Sequence, residues 1–290
     1  VQSSSATTVM AVEFVNAGLM SLVQATGVIM GANIGTTITA QLIAFKLSDI
    51  APLILFFGMI MTVFLKKKRH KRIGAIVIGF GMLFVGLSLM SQAMVPLRGN
   101  EAFTNYLINF HNPILGILFG AVFTAVIQSS SASVGILQAF AMSGLIDLDS
   151  AVYIILGQNI GTCVTAVLAA IGTCANSKRT AGIHLLFNIL GSLLFMLIFL
   201  AIPGIVDAVE SFSPDNVPRQ IANFHTLFNV TVTIILFPFA SILVRLITKL
   251  IPERIHPDMV EKRLLYLDER IAQTPGIALT QTLKEMNRVG

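Results

Sequence analysis

Charged residues are scarce in this chain of 290 residues, and their scarcity excludes an ordinary soluble domain. Only 11% of the residues are Asp, Glu, Lys or Arg, whereas soluble domains carry roughly 25%. The two cysteines, Cys163 and Cys174, lack the spacing of a metal or redox site, so a structural role is expected for both. Because no acid–base pair, nucleophile–histidine arrangement or metal cluster emerges, an enzyme is the least favoured class of protein.

What the chain has instead is apolar sequence, at 55% of its residues and a mean hydropathy of +0.83. Stretches of the ~20 residues needed to cross a hydrocarbon core recur along it. They lie at 22–45, 73–95, 151–171, 181–202 and 221–243. The net charge of +5 concentrates in short loops and the C-terminal tail, as in membrane proteins, so a nucleic-acid partner is not expected. The sequence predicts an all-α polytopic protein of the lipid bilayer.

Two motifs occur twice, at one fixed offset of 126 residues. Gln2-Ser3-Ser4-Ser5 returns as Gln128-Ser129-Ser130-Ser131. Gly31-x-Asn33-x-Gly35-Thr36 returns as Gly157-x-Asn159-x-Gly161-Thr162. Two motifs kept in register over that distance indicate an internal duplication.

The distribution of charges predicts that the two copies have inverted topology. The basic loop at 66–72 should be cytoplasmic, and counting spans from it places the acidic loop at 207–215 outside and the C-terminus in the cytoplasm. On this count, the first Gln-Ser-Ser-Ser segment opens toward the cytoplasm and the second toward the outside. Such repeats are typical of secondary transporters, whose substrate site lies at the repeat interface. The expected location is the inner or plasma membrane of the cell, crossed several times.

The serine runs are either flexible linkers or the tips of membrane hairpins. The second run lies between the apolar segments 113–127 and 132–145, each about half a membrane thickness long. This favours a re-entrant helical hairpin in each repeat, with polar residues at its tip. Irregular backbone at that depth requires surrounding protein or a water-filled cavity, so we expect a cavity lined by hydroxyls and a carboxamide.

Each Gly-x-Asn-x-Gly motif predicts a broken transmembrane helix. The freed carbonyls suit sodium and the freed N–H groups suit an anion. Two threonines three residues apart follow each motif, and they either bond to their own helix or act as ligands. They are Thr36 and Thr39 in the first copy and Thr162 and Thr165 in the second. Because neither motif contains Lys or Arg, sodium would supply the positive charge that an anion needs.

Two further sets of polar residues lie within apolar segments of the sequence. His184 and Asn188 recur as His225 and Asn229 in a similar context, and they serve either interhelical hydrogen bonds or substrate contact. Glu13 is the only acid of the first predicted hairpin and is a candidate coupling residue.

The paired motifs resemble those of the type II sodium-dependent phosphate cotransporter family, including its bacterial members, over roughly residues 1–250. The resemblance implies sodium-coupled transport of inorganic phosphate by alternating access, with sodium as the coupling ion and no other cofactor. It implies that phosphate binds the serines at both tips: Ser3, Ser4, Ser5, Ser129, Ser130 and Ser131. It assigns Gln128, Ser129, Thr162 and Thr165 to a sodium site. By the internal symmetry the sodium-binding set extends to Gln2, Asn33, Thr36 and Thr39, with Asn159 as the counterpart of Asn33.

The same resemblance predicts three parts of the chain. Residues 1–72 form a first repeat, whose hairpin lacks its N-terminal arm, and residues 73–250 form the second repeat with the following spans. Residues 251–290 form a cytoplasmic tail or the start of a helical regulatory domain. A phosphate channel, a sodium-linked exporter and a membrane-anchored regulator remain alternatives, and the oligomeric state is open.

Overall fold

The computed structural model describes residues 3–45, 47–101, 103, 107, 109–202, 204–252 and 275–289. The chain divides into two compact units, Val1–Ile251 and Pro252–Gly290. In the described part of the first unit lie twelve α-helices: α1 Ser4–Asn16, α2 Leu22–Ile43, α3 Ala51–Phe64, α4 Lys68–Met94, α5 Pro113–Ile127, α6 Ser130–Met142, α7 Leu148–Gly161, α8 Cys163–Ala169, α9 Ala175–Ala201, α10 Ile205–Ser211, α11 Val217–Leu236 and α12 Ala240–Leu250. The second unit contains helix α13, Pro275–Val289.

Four helical stretches are long and apolar enough to cross a membrane. They are Lys68–Leu97, Leu148–Ala169, Ala175–Ala201 and Val217–Leu250. Helix α2 has 22 residues, enough to span, but its Gln, Asn and Thr side chains lower its hydropathy and it is not among the four. Helices α3, α5 and α6 are apolar but shorter. The predicted all-α membrane architecture is confirmed at this level.

The two copies of the duplicated sequence fold alike. Helices α1 and α6 begin and end at positions that differ by the same 126 residues, as do α2 and the α7–α8 pair. Helices α1 and α6 are each followed by a glycine of positive φ, Gly18 at 71° and Gly144 at 68°. Glycine adopts this left-handed conformation without steric cost and so closes the last turn of a helix. The duplicated sequence therefore specifies equivalent helices with equivalent ends.

The predicted helix break is absent from the first copy, so that prediction is wrong, and in the second copy the break is limited to one residue. Helix α2 runs without interruption across its Gly-x-Asn-x-Gly motif. In the second copy, Thr162 alone separates α7 from α8, and its φ of −58° and ψ of −25° are still helical. The glycines here permit close packing, since a Cβ at Gly157 would lie 2.0 Å from the carbonyl oxygen of Ile117 on α5. A missing Cβ lets two helices touch without unwinding either of them.

The core of the first unit surrounds helix α2, which packs against α1, α6, α9, α11 and α12. On the inner faces of α9 and α11, the ring of Phe195 lies 4.9 Å from that of Phe228 and 5.9 Å from that of Phe224, both edge-on. Helices α3 and α4 form a separate hairpin that contacts α6 through α4 and exposes much of its apolar surface. The central helices α2, α6 and α7 therefore hold the polar motifs inside the unit.

Equivalent helices are capped by different chemistry in the two copies. Before α7, a carboxylate oxygen of Asp147 accepts the N–H of Ser150 at 3.0 Å. Before α2, the hydroxyl of Ser21 accepts the N–H of Gln24 at 3.3 Å. Burial raises the pKa of Asp147, but the hydrogen bonds from Ser150 and the neighbouring His111 outweigh it and hold the pKa below its usual value.

Asp147→Ala and Ser21→Ala should each lower the free energy of unfolding by about 1 kcal/mol at neutral pH. The pKa of Asp147 is lower in the folded than in the unfolded protein, so its contribution is present above the unfolded pKa of about 4. That contribution is lost as the pH falls through the folded pKa. The Asp147→Ala difference should therefore shrink in acid, whereas the Ser21→Ala difference should stay constant. Thermal unfolding in detergent across this range measures both, and an Asp147→Ala difference independent of pH would contradict a charged cap.

Candidate functional site

The two Gln-Ser-Ser-Ser segments meet in the structure. The hydroxyl oxygens of Ser4 and Ser130 are 3.2 Å apart, within hydrogen-bond distance, and both side chains are buried. The hydroxyl of Ser5 donates to the backbone carbonyl of Gln128, 3.4 Å away. Ser131 lies half-buried in the first turn of α6. Residues 126 positions apart in sequence thus form one cluster.

Both serine segments begin a helix, and the two helix beginnings converge. Ser3 and Ser129 are the N-cap residues of α1 and α6, with extended φ values of −144° and −139°, and each side-chain oxygen accepts the N–H three residues later. Ser4 and Ser130, which touch, are the first residues of the two helices. The N-terminal end of a helix carries partial positive charge and free N–H groups, so their convergence favours an anion.

Gln128 forms the turn that joins α5 to the second serine segment. Its φ of 59° places it in the left-handed region, where a non-glycine residue costs about 1 kcal/mol or more. Glycine would remove that cost, and the residue that occupies this position instead carries an exposed carboxamide. Its counterpart Gln2 lies outside the described residues.

A cavity of about 380 Å³ lies beside the first serine segment. Its walls come from α1 with its N-cap and from α2: Ser3, Ser4, Thr7, Gly31, Ala32, Gly35, Thr36 and Ile38. Three predicted site residues therefore surround one space, and no charged side chain is among its lining residues. In the second copy helix α5 fills the equivalent space. A Cβ at Gly161 would lie 2.3 Å from the carbonyl oxygen of Ala121, whereas one at Gly35 would meet nothing within 4 Å.

Three of the four candidate threonines bond to their own helices. Thr36 and Thr162 each donate the side-chain hydroxyl to the carbonyl four residues earlier, at 3.1 and 2.9 Å. The hydroxyl of Thr165 donates to the carbonyl of Thr162 at 2.9 Å, and Thr39 lies half-buried one turn after Thr36. The backbone-bonding alternative therefore describes Thr36, Thr162 and Thr165. A hydroxyl that donates its proton still offers oxygen lone pairs, which are what a cation binds.

Asn33 and Asn159 occupy equivalent positions but make different bonds. The side-chain nitrogen of Asn33 donates to the carboxamide oxygen of Asn188 on α9 at 2.8 Å, while that of Asn159 donates within its own helix. Asn188 in turn donates to the sulfur of Cys163 at 3.3 Å, so it links α2 to α8. The interhelical hydrogen bond is thus present at Asn188. Asn229, which occupies the similar sequence context, donates to the carbonyl four residues earlier.

Sequence reasoning missed several buried oxygens near these motifs. Within the described ranges, the side-chain oxygens of Thr8, Thr124, Ser133 and Gln158 are buried without a hydrogen-bond partner. The amide nitrogen of Gln158 donates to the carbonyl of Ser133 at 3.0 Å, which leaves its oxygen Oε1 unpartnered. A buried oxygen without a partner costs about 1–3 kcal/mol unless an ion or water contacts it. The available signal was a carboxamide in the second motif where the first copy has Ala32.

Two acidic side chains, Glu13 and Glu210, take no part in the hydrogen bonds of the serine cluster. Glu13 is exposed near the C-terminal end of α1, about 14 Å along the helix from Ser4. Glu210 lies in the short helix α10, where burial and the acids Asp149 and Asp207 raise its pKa. Neither acid is among the residues that line the cavity beside the serine cluster.

The chain is similar in sequence to a family of transporters and to several bacterial proteins. The family described as Na+/Pi-cotransporter matches residues 1–92 and 97–212. The chain is similar to "Uncharacterized protein YqeW" of Bacillus subtilis, with 37% identity over 254 residues that cover 87% of this chain and 81% of that protein. It is 29% identical to "Putative inorganic phosphate export protein YjbB" of Escherichia coli K12, which matches all of this chain over 53% of its own length.

A vertebrate protein is similar over a shorter region. "Sodium-dependent phosphate transport protein 2A" of Rattus norvegicus is 35% identical over 130 residues, covering 42% of this chain and 20% of that protein. No solved structure matches. The chain thus spans about half the length of YjbB and a fifth of the rat protein.

Proposed function

Because this chain belongs to the Na+/Pi-cotransporter family, we propose that it is a sodium-coupled secondary transporter of inorganic phosphate. The contact between Ser4 and Ser130, where the N-terminal ends of α1 and α6 converge, is the observation that carries the proposal. Phosphate would be held by hydroxyls and free backbone N–H groups of the two serine segments: Ser3, Ser4, Ser5, Ser129, Ser130 and Ser131. Sodium would be bound by oxygen atoms of Gln2, Asn33, Thr36, Thr39, Gln128, Ser129, Asn159, Thr162 and Thr165.

The absence of lysine and arginine from these segments is the physical reason for coupling. A multiply charged anion without a counterion is costly in a medium of low dielectric constant. A sodium ion about 4 Å from the phosphate would recover ~4 kcal/mol per unit charge at an effective dielectric constant of about 20. The unpartnered oxygen of Gln158 adds a further neutral ligand near the predicted sodium residues. Binding of each ion would therefore strengthen binding of the other.

Alternating access in this proposal depends on inverted repeats. Residues 1–72 form the first repeat, and residues 73–250 form the second repeat with the following spans. Each repeat contains a re-entrant hairpin, and the two tips enclose the site between them. The equivalence of α1 with α6 and of α2 with the α7–α8 pair supports the duplication. The charge distribution supports the opposite orientation, with the C-terminal segment 251–290 in the cytoplasm and the protein in the inner or plasma membrane.

Removing sodium should abolish phosphate uptake. In proteoliposomes of this chain, an inward sodium gradient is expected to drive saturable uptake of radiolabelled phosphate. Replacing sodium by potassium or choline should reduce the uptake to the level of protein-free liposomes. Uptake that is unchanged by the replacement would contradict the coupling mechanism, and flux that does not saturate would identify a channel.

Export is a second candidate, favoured by the name of YjbB. The same two ions could move outward if the cell holds phosphate above its equilibrium distribution, since gradients set the direction of a secondary transporter. Proteoliposomes loaded with phosphate and sodium and diluted into sodium-free buffer test this direction. Efflux that requires internal sodium would fit a reversible cotransporter, whereas sodium-independent efflux would favour a dedicated exporter.

A further inference from the structure

An apolar groove runs along helix α8, away from the serine cluster. One cavity of about 310 Å³ lies between α5, α7, α8 and α9, and a second of about 290 Å³ lies between α8, α9 and Ile251. Val167 lines both cavities, so they share a wall. We call this surface the α8 groove and define it by Val164, Val167, Leu168, Ile171 and Lys178.

The floor of the α8 groove is one face of a helix. Val164, Val167 and Leu168 follow the spacing i, i+3 and i+4 on α8, which places them on the same side, and Ile171 follows in the turn after the helix. Val167, Leu168 and Ile171 are 43%, 49% and 70% exposed. From Ile160 to Ala170 the groove follows about 15 Å of helix, close to the ~15 Å of one leaflet of a hydrocarbon core. Its length and composition therefore fit one acyl chain.

One end of the α8 groove carries a positive charge. Lys178 lines the second cavity and is exposed. Among the residues that the structure describes, the one ion pair joins His111 to Asp147, so Lys178 has no carboxylate partner there. The neighbouring Arg179 is occupied, since it donates to the carbonyl of Ile251 at 2.9 Å and to the side chain of Asn176. Among the described residues that line the two cavities, Lys178 is the one with a cationic side chain.

We propose that the α8 groove is a binding site for a phospholipid with an anionic headgroup. One acyl chain lies along Val164, Val167, Leu168 and Ile171, and the headgroup phosphate contacts the ammonium of Lys178. A charge at the end of a groove one leaflet long matches a molecule with a charged head and a long apolar chain. An occupant with no negative charge would leave the lysine unused.

Occupation of the groove would support the helix that carries part of the candidate site. The buried Cys163 forms part of the groove wall and follows directly after Thr162, where α7 and α8 are interrupted. Thr165 lies on the same short helix. A bound chain would cover the outer face of α8 and hold it against α7, so the lipid would stabilise the folded protein even without substrate.

Lipid binding to the purified chain tests the proposal directly. Native mass spectrometry in neutral detergent should show retention of added phosphatidylglycerol and little retention of phosphatidylcholine. Lys178→Gln should weaken phosphatidylglycerol binding about fivefold, the effect of one lysine on an anionic lipid. Val167→Phe should fill the groove where the two cavities meet and abolish retention of the lipid.

Two control variants change the same residue types outside the groove. Lys71→Gln alters an exposed lysine at the start of α4, and Val126→Phe alters a valine of α5 that is 76% exposed and lines neither cavity. Both should bind phosphatidylglycerol like the unmodified chain. Equal retention of the two lipids, unchanged binding by Lys178→Gln, or an equal loss in Lys71→Gln would each overturn the proposal. If Val167→Phe unfolds at a lower temperature than the unmodified chain in the absence of lipid, its loss of binding could reflect misfolding. The comparison of Lys178→Gln with Lys71→Gln then decides whether the groove binds the lipid.

Discussion

Replacing Gly157 with alanine is expected to destabilise the protein by about 3 kcal/mol or more, whereas the same change at Gly31, its counterpart in the first copy, should stabilise it. A Cβ at Gly157 would lie 2.0 Å from the carbonyl oxygen of Ile117 and 2.9 Å from the backbone nitrogen of Ala121. These are backbone atoms of α5, so relief requires the two helices to separate. A Cβ at Gly31 would meet nothing within 4 Å, and alanine in a helix is favoured over glycine by about 0.5–1 kcal/mol.

Thermal unfolding with a thiol-reactive dye can measure both variants. The chain has no tryptophan, but Cys163 is buried and becomes reactive only on unfolding. The exposed Cys174 should first be replaced by serine so that it does not react in the folded state. The Gly157→Ala variant should unfold at a lower temperature than its parent and Gly31→Ala at a slightly higher one. Equal losses of thermal stability in the two variants would contradict the expectation, because they would require a neighbour in contact with Gly31.

This pair of glycines shows what the sequence could predict and what it could not. The offset of 126 residues predicted equivalent elements, and the helix boundaries follow it to the residue. The motif alone could not distinguish a glycine that loosens a helix from one that lets another helix approach. That distinction depends on a neighbour, and only Gly157 has one within reach. The predicted unwinding failed because local flexibility was inferred where tertiary contact decides.

The candidate site divides in the same way. The family resemblance implied that the serines of both copies share one phosphate site, and Ser4 and Ser130 lie in contact. The sequence indicated interhelical hydrogen bonding as one role for Asn188, but it could not name the partners Asn33 and Cys163, since pairing between helices depends on their packing. Nor did it identify Gln158, whose unpartnered oxygen becomes apparent only when its surroundings are known.

Ser130→Ala is expected to lower the apparent affinity for phosphate in the uptake assay by about 10- to 100-fold. The hydroxyl of Ser130 would donate to a charged ligand, and a hydrogen bond to a charged group contributes about 1.5–3 kcal/mol. Ser4→Ala should have a similar effect because the two hydroxyls lie 3.2 Å apart at the same place. The double variant should lose less than the sum of the single losses, since residues in contact are coupled.

Ser143→Ala is the matched control for this loss. Ser143 lies at the other end of α6, is buried, and donates its hydroxyl to the carbonyl of Phe140 at 2.8 Å. The first copy already has alanine at the equivalent position, Ala17, so the change copies a residue that the repeat tolerates. Uptake by Ser143→Ala should match that of the parent. Unchanged phosphate affinity in both Ser4→Ala and Ser130→Ala would remove the serine cluster as the binding site, whereas an equal loss in Ser143→Ala would trace the effect to the stability of α6.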